Sequence, residues 1–199
     1  MKPTDLVVSD FRRPDHPIES ILVDRWSPRA MSAEPIDLAQ LNRLFEAARW
    51  APSSYNAQPW VLIYARRDTP AWAPLFNTLV EFNQSWAKDA AALIVIVAKT
   101  VDGDGNRTRT HSFDCGAAWQ NLALQGSRMG LVVHGMQGFD YDAAAKVMGV
   151  PDGYEPEAMI AVGHPGEIDA LGEKMAGREK PSERKPISEF VSEGTFSIG

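Results

Sequence analysis

Two arginines flank a serine in the segment Arg25-Trp26-Ser27-Pro28-Arg29. The planar guanidinium of arginine donates paired hydrogen bonds to phosphate oxygens, and a serine hydroxyl adds a further donor. The sequence contains no P-loop motif and no Gly-x-Gly-x-x-Gly fingerprint after a strand. If this protein binds a phosphate, we therefore expect Arg25, Ser27 and Arg29 to hold it. The alternative is a solvated charged turn, because such arginine spacings are common on protein surfaces.

A second polar segment runs from Pro52 to Trp60 and reads Pro-Ser-Ser-Tyr-Asn-Ala-Gln-Pro-Trp. Proline restricts φ, so Pro52 and Pro59 leave the intervening loop little freedom. Asparagine and glutamine each carry donors and an acceptor, which suits the edge of a planar heterocycle. The pattern indicates either a binding loop of that kind or a helix-to-strand loop that its own side chains cap.

Composition restricts the remaining chemistry. The 199 residues include 20 Lys and Arg against 26 Asp and Glu, so the net charge is −6 and disfavours general binding to nucleic acids or anionic membranes. The single cysteine, Cys115, excludes a multi-cysteine zinc site, and we expect no bound metal. No apolar run reaches the roughly 18 residues of a membrane span, and the polar N-terminus lacks a signal-peptide core, so a cytoplasmic location is expected. His134, at a predicted strand end, is expected to be hydrogen-bonded or exposed, or to border the binding site.

Hydrophobic periodicity predicts the elements that must position these residues. Apolar side chains at helical spacing predict helices over 36–49, 71–86, 111–129 and 141–148. Short apolar runs predict strands over 60–65, 91–98, 131–134 and 158–162. Residues 1–20 are expected to form an irregular N-terminal arm that leads into a short helix over 18–24, and residues 21–199 a single domain with an extended C-terminal tail. Because helices and strands intermix, the fold class is α/β or α+β.

A series of motifs in this sequence resembles the FMN-dependent nitroreductase family. The matching segments are Arg25-x-Ser27-x-Arg29, 47–60 (AARWAPSSYNAQPW), 114–122 (DCGAAWQNL), 130–131 (GL), 136–140 (MQGFD), 161–167 (AVGHPGE) and 184–191 (RKPISEFV). Each motif alone is unspecific. Their order, and their spread over about residues 20 to 191, make the resemblance strong.

The resemblance implies an α+β protein with a three-layer α/β/α arrangement, a central mixed, mainly antiparallel sheet and a long central helix at the interface of a homodimer. Two FMN molecules would bind at that interface. The family's phosphate and ribityl contacts map onto Arg25, Ser27 and Arg29, joined from the tail by Arg184 or Lys185. The residues that would line the flavin from the other subunit are Pro52, Ser53, Ser54, Asn56 and Gln58. The residues whose backbone or side chain would face the flavin ring are Gly135, Gln137, Gly138 and Asn83.

On this resemblance we expect an oxidoreductase that takes hydride from NAD(P)H and passes it to a small planar acceptor, such as a nitroaromatic, a quinone or an enone. One site used twice gives ping-pong kinetics. Gly135 and Gly138 would let the backbone approach the ring closely, and no side chain is assigned a catalytic role. Two alternatives remain open: an FMN-binding sensor or storage protein with little turnover, and a dimerisation module with an empty pocket.

Overall fold

The computed structural model describes residues 1–196 and is built around a four-stranded sheet. The strands are β1 (Trp60–Arg66), β2 (Ala92–Lys99), β3 (Val132–Met136) and β4 (Tyr154–Gly163), arranged in the order β1-β2-β4-β3. All three pairings are antiparallel. The α+β class is confirmed. The resemblance implied a mixed, mainly antiparallel sheet, whereas every strand pairing in residues 1–196 is antiparallel.

Helices cover both faces of this sheet. In chain order they are α1 (Ser20–Asp24), α2 (Leu38–Arg49), α3 (Trp72–Phe76), α4 (Glu81–Ala87), α5 (His111–Arg128), α6 (Tyr141–Met148) and α7 (Glu173–Ala176). The buried strand β2 shows why two layers are needed, because its apolar side chains alternate between faces. Ile94 packs in the core formed with α2 and α5, whereas Leu93 packs in the core formed with α3, α4 and α6. The three-layer α/β/α arrangement is thereby confirmed.

Helices α2 and α5 form the layer that carries most of the site. Asp37 caps α2 by accepting a 2.6 Å hydrogen bond from the Gln40 backbone N–H, and the Gln40 side chain accepts one from Asp37 at 3.3 Å. Helix α5 matches its predicted bounds closely. Gly126 lets it pack tightly on β3, because a Cβ there would collide with the side chain of Val133.

The single helix predicted over 71–86 is wrong, because the chain forms α3 and α4 with a break at 77–80. The Thr78 carbonyl accepts a 2.8 Å hydrogen bond from the Asp140 N–H, and the Val80 N–H donates to the Gly138 carbonyl at 3.0 Å. Residues 78–80 therefore bond to a distant segment instead of continuing the helix. This exchange ties the start of α4 to the chain that follows β3.

Strand β4 is longer than predicted, since it begins at Tyr154 and not near residue 158. It includes Pro156, which lies opposite Val97 where the register of β2 shifts between Ile96 and Val97. Proline lacks a backbone donor and is tolerated at such bulges. Strand β3 likewise extends two residues beyond the predicted end, to Met136.

The two ends of the chain are irregular segments with short 3₁₀ turns at Pro3–Asp5, Val8–Asp10, Ile168–Leu171 and Ile187–Glu189. Residues up to Pro181 still include buried side chains, whereas every residue in 182–196 is exposed. Within residues 1–196, no helix combines the length and the apolar composition needed to cross a membrane.

Candidate functional site

Four arginines, Arg12, Arg25, Arg29 and Arg184, lie where the N-terminal arm meets the C-terminal tail, and we call them the arginine cluster. Arg25 and Arg29 follow α1 and are half-buried. The Nη1 of Arg25 lies 3.2 Å from the Ser27 Oγ. Burial, together with the positive charge of Arg184, lowers the pKa of the Arg25 guanidinium below its ordinary value. The fold therefore brings Arg25 close to Ser27 and Arg184, and it places Arg25 and Arg29 near the same side chain, that of His134.

Lys185 lies apart from this group. Its ammonium is exposed and lies 3.5 Å from the carboxylate of Glu189, four residues further along the tail. Of the two tail residues predicted as alternatives, the structure places Arg184 near Arg25 and Lys185 on the tail surface.

Arg12 was not predicted as a site residue, yet it holds the backbone of the cluster in place. Its buried Nε donates to the Ser182 carbonyl at 2.8 Å, and its Nη1 donates to the carbonyls of Val23 at 2.6 Å and Arg25 at 2.8 Å. One side chain thus joins the arm, the end of α1 and the tail. Burial and the charges of Arg184 and Arg25 lower its pKa. The adjacent pair Arg12-Arg13 is visible in the sequence, but nothing there distinguishes a buried arginine from a solvated one.

The arginine cluster has more hydrogen-bond donors than the chain has acceptors for them. The Nε atoms of Arg25 and Arg29 are buried and have no hydrogen-bond partner among residues 1–196. A buried donor left unpaired costs about 1–3 kcal/mol. Within the same residues, the one carboxylate at ion-pair distance from the cluster is that of Glu179, 3.6 Å from Arg29 Nη1. This surplus of donors and positive charge suits an anionic group such as a phosphate.

His134, on β3, lies against the cluster in its neutral form. Its Nδ1 lies 2.9 Å from the Pro28 carbonyl, so Nδ1 carries the proton and donates it. Burial lowers the pKa of His134 to about 4, and the charges of Arg29 and Arg25 act in the same direction. The imidazole therefore adds no positive charge at neutral pH.

Gly135, the next residue of β3, is explained by packing. A Cβ at this position would lie 2.9 Å from two ring atoms of Trp119 on α5, and nearer still to its Nε1. The same indole lies under the Arg25 guanidinium, at 5.6 Å from the ring centroid. Trp119 therefore occupies the space in which a Cβ of residue 135 would lie, and the approach of this backbone to a ligand ring stays a prediction.

Gly138 is constrained in the same way by α4. A Cβ there would lie 2.6 Å from the Asn83 Nδ2, which donates to the Gly138 carbonyl at 3.0 Å. Asn83 is buried, so this bond fixes the backbone after β3 and uses one of the donors predicted to face a ligand. Here too a side chain occupies the space in which a Cβ would lie. Gln137, between the two glycines, is exposed.

The predicted loop 52–58 is strained. Tyr55, Asn56 and Gln58 all have positive φ, which non-glycine residues seldom adopt and which clusters at functional sites. Within the loop the Gln58 N–H donates to the Ser53 Oγ at 3.0 Å. The loop is attached to α5, because the Ser54 N–H donates to the buried Asp114 carboxylate at 3.2 and 3.3 Å. Pro52 and residues 55–58 are exposed.

This loop and the arginine cluster contact different faces of α5. The loop bonds to Asp114 and the cluster contacts Trp119, five residues further along the helix. Five residues correspond to a rotation of about 140° and a rise of about 7.5 Å. A single chain therefore presents the loop and the cluster as two separate groups of candidate residues.

A cavity of about 620 Å³ opens between residues 10–23 of the arm and residues 183–190 of the tail. Arg12 and Arg184 are part of its wall, together with apolar side chains such as Leu22 and Phe190, whereas Arg25 and Arg29 are not. The cavity thus borders the arginine cluster without enclosing it. Among residues 1–196, no three His, Cys, Asp or Glu side chains are placed to hold a metal ion.

Comparison with known proteins adds an independent line of evidence. The profile of the nitroreductase family matches residues 22–71 and 64–164. A crystal structure described as an oxidoreductase containing FMN is 37% identical, with a TM-score of 0.91, and the match covers 94% of this chain and 97% of that one. An NADH dehydrogenase from Thermus thermophilus is 24% identical over 84% of this chain and 91% of its own length. A third match is a structure from Desulfovibrio desulfuricans, assigned as a nitroreductase and in complex with FMN. It is 23% identical, with a TM-score of 0.71, and the match covers 92% of this chain and 100% of that one. This match supports the fold.

Proposed function

The chain belongs to the nitroreductase family, and on that premise we propose that it is an FMN-dependent oxidoreductase. It takes hydride from NAD(P)H and passes it to a small planar acceptor such as a nitroaromatic, a quinone or an enone. One observation above all supports this proposal: the buried Nε donors of Arg25 and Arg29 have no partner in the chain. The phosphomonoester of FMN carries a charge of about −1.5 to −2 at pH 7 and accepts such donors. The relative that is 37% identical contains FMN.

In this proposal the arginine cluster binds the phosphate. Arg25 and Arg29 donate to its oxygens through their unpaired Nε groups, and Arg184 adds positive charge from the tail. Ser27, already near Arg25, offers its hydroxyl to the phosphate or the ribityl chain. Lys185 is paired with Glu189 and contributes no direct bond.

The backbone of 135–138 then faces the flavin ring. When bound, FMN supplies the centre that accepts hydride from NAD(P)H and returns it to the acceptor. Asn83 holds the Gly138 carbonyl, which keeps this backbone in one position for both half-reactions. His134 stays neutral and therefore places no positive charge beside the ring. Because donor and acceptor use the same place in turn, the kinetics are ping-pong.

The second part of the proposal is a homodimer that completes each site with the loop 52–58 of the other subunit. Within one chain this loop and the arginine cluster contact different faces of α5. Trp50, Tyr55 and Phe113 are largely exposed around the start of α5, and Ile187, Phe190 and Val191 are exposed on the tail. Large apolar side chains that remain exposed in this way suit an interface between subunits. A twofold dimer formed through α5 covers them and places each loop at the partner's cluster.

The experiment that tests the cofactor and the activity is an absorbance spectrum of the purified protein, before and after anaerobic NADPH and then NADH. We expect flavin bands that bleach rapidly with at least one donor. Bands that persist with both donors would refute the oxidoreductase and favour the sensor or storage protein. No flavin, even after reconstitution with FMN, would leave only the fold.

Mixing two defective variants tests the shared site. One variant carries Arg25→Gln and Arg29→Gln, and the other carries Asn56→Ala and Gln58→Ala. With random pairing about half of the twofold dimers are mixed, and each mixed dimer has one intact and one doubly defective site. About a quarter of all sites are then intact, so NAD(P)H-dependent reduction of a quinone should return on mixing. If subunits exchange and activity stays absent, each site lies within one chain.

The cytoplasmic location remains a prediction from the sequence.

A further inference from the structure

Glu179 carries a buried carboxylate directly beside the arginine cluster. Its side chain is fully shielded from solvent, although its neighbours Arg178 and Lys180 are exposed. One carboxylate oxygen accepts hydrogen bonds from the backbone N–H groups of Arg29 and of Ala30, the latter at 2.9 Å. The other oxygen lies 3.6 Å from Arg29 Nη1 and has no hydrogen bond.

This arrangement holds Arg29 at two points. The backbone N–H of Arg29 is bound to the carboxylate, and the guanidinium of the same residue lies within ion-pair distance of it. The guanidinium also lies over the indole of Trp86, at 6.0 Å from the ring centroid. Its Nε remains without a partner. An arginine held at both ends loses less side-chain freedom when an anion binds to its remaining donors.

We propose that Glu179 is a positioning residue that fixes Arg29 for the phosphate of the cofactor, and that it thereby makes the site selective for a phosphorylated flavin over riboflavin. This inference rests on the proposed function. Glu179 touches neither flavin nor substrate, and it acts through Arg29. In this proposal Glu179 affects phosphate binding indirectly, through Arg29, whereas Arg184 contributes its positive charge directly.

The loss of the Glu179 carboxylate has two opposite effects on the affinity for an anion, one through its charge and one through the position of Arg29. A measurement of that affinity therefore tests the proposal. Removing a buried negative charge next to a phosphate site would, by itself, tighten the binding of an anion. Releasing Arg29 from its carboxylate would weaken it. The variant Glu179→Gln keeps a carbonyl oxygen to accept from the Arg29 and Ala30 backbone but loses the ion pair with the Arg29 guanidinium. The sign of its effect on FMN affinity therefore shows which of the two effects dominates.

The test measures the dissociation constants of FMN and riboflavin for the full-length apoprotein by flavin fluorescence. For Glu179→Gln we expect FMN affinity to fall about 10-fold, the size expected for a weakened charge-assisted hydrogen bond, and riboflavin affinity to stay within about twofold. The matched control is Glu173→Gln, an exposed glutamate of α7 in the same segment, which should change neither constant.

A double-mutant cycle with Arg29→Gln shows whether Glu179 acts through Arg29. In the Arg29→Gln background, Glu179→Gln should cause little further loss of FMN affinity. Tighter or unchanged FMN binding by Glu179→Gln overturns the proposal, as does an equal loss for FMN and riboflavin. If Glu179→Gln does not fold, Glu179→Asp, which keeps the charge but shortens the side chain, should show the same FMN-specific loss. A wild-type protein that binds neither flavin refutes the proposed function itself. A wild type that binds FMN, together with a Glu179→Gln variant that binds it equally well, refutes only the role of Glu179.

Discussion

Replacing Gly135 with alanine perturbs the contact between β3 and the indole that supports Arg25. The added Cβ would lie 2.9 Å from two ring atoms of Trp119. At that distance the indole, the strand or both must move. Forced overpacking of this kind costs about 1–3 kcal/mol. In a domain of this size each kcal/mol lowers Tm by about 2–4 °C, so we expect Gly135→Ala to lower Tm by about 2–12 °C.

Calorimetry and urea unfolding of three variants check this reasoning. The control Gly103→Ala adds a Cβ with nothing within 4 Å and should change the free energy of unfolding by less than about 0.5 kcal/mol. Combining Gly135→Ala with Trp119→Leu makes room for the methyl group, so the double variant should be more stable than the sum of the single effects. The packing argument is refuted if Gly135→Ala is as stable as the wild type, or if the two changes are additive.

Three further predictions concern buried polar groups. The pKa of His134 is about 4 in the folded protein and 6.5 ordinarily, so the unfolded chain takes up this proton at a higher pH than the folded protein. The free energy of unfolding therefore falls as the pH decreases from 6.5 to 4. Urea unfolding should show that the free energy of unfolding of His134→Gln changes less with pH over this range. Burial raises the pKa of the Cys115 thiol to about 12, so a disulfide reagent at pH 8 should label it only after unfolding in guanidinium, and rapid labelling of the native protein would contradict its burial. Asp114→Ala leaves the Ser54 N–H without its acceptor and should cost about 1–3 kcal/mol of unfolding free energy, whereas Asp114→Asn keeps an acceptor and should cost less; equal losses would show that the hydrogen bond to the loop is unimportant.

The elements with a strong local pattern could be predicted from the sequence. Helix α5 repeats its core-facing side chains over 18 residues, and β2 is an unbroken apolar run, so both were placed within a residue or two. The helix predicted over 71–86 failed for a physical reason. Its break depends on hydrogen bonds from residues 78–80 to 138–140, about 60 residues away, and no local pattern reports such a partner.

The same distinction applies to the candidate site. Arg25, Ser27 and Arg29 were found because their spacing alone suits a phosphate. Arg12 and Glu179 were missed because their hydrogen-bond partners lie up to 170 and 150 residues away, and the sequence around each looks like an ordinary charged surface. Gly135 on β3 and Gly138 after it are visible in the sequence, but the side chains that pack against them, Trp119 and Asn83, are brought there only by the fold.

The long-range bonds of Arg12 and Arg29 also set an order for biosynthesis. Helix α2, the sheet and α5 are all synthesised before residues 179–182, because these elements, and so their contacts with one another, lie within residues 38–163. Arg12 must wait for the Ser182 carbonyl, and Arg29 must wait for Glu179. Both partners emerge from the ribosome only after all four strands of the sheet. Completion of the arginine cluster therefore comes after synthesis of the sheet, and a chain truncated before residue 179 lacks both the carboxylate that holds Arg29 and the carbonyl that holds the Arg12 Nε.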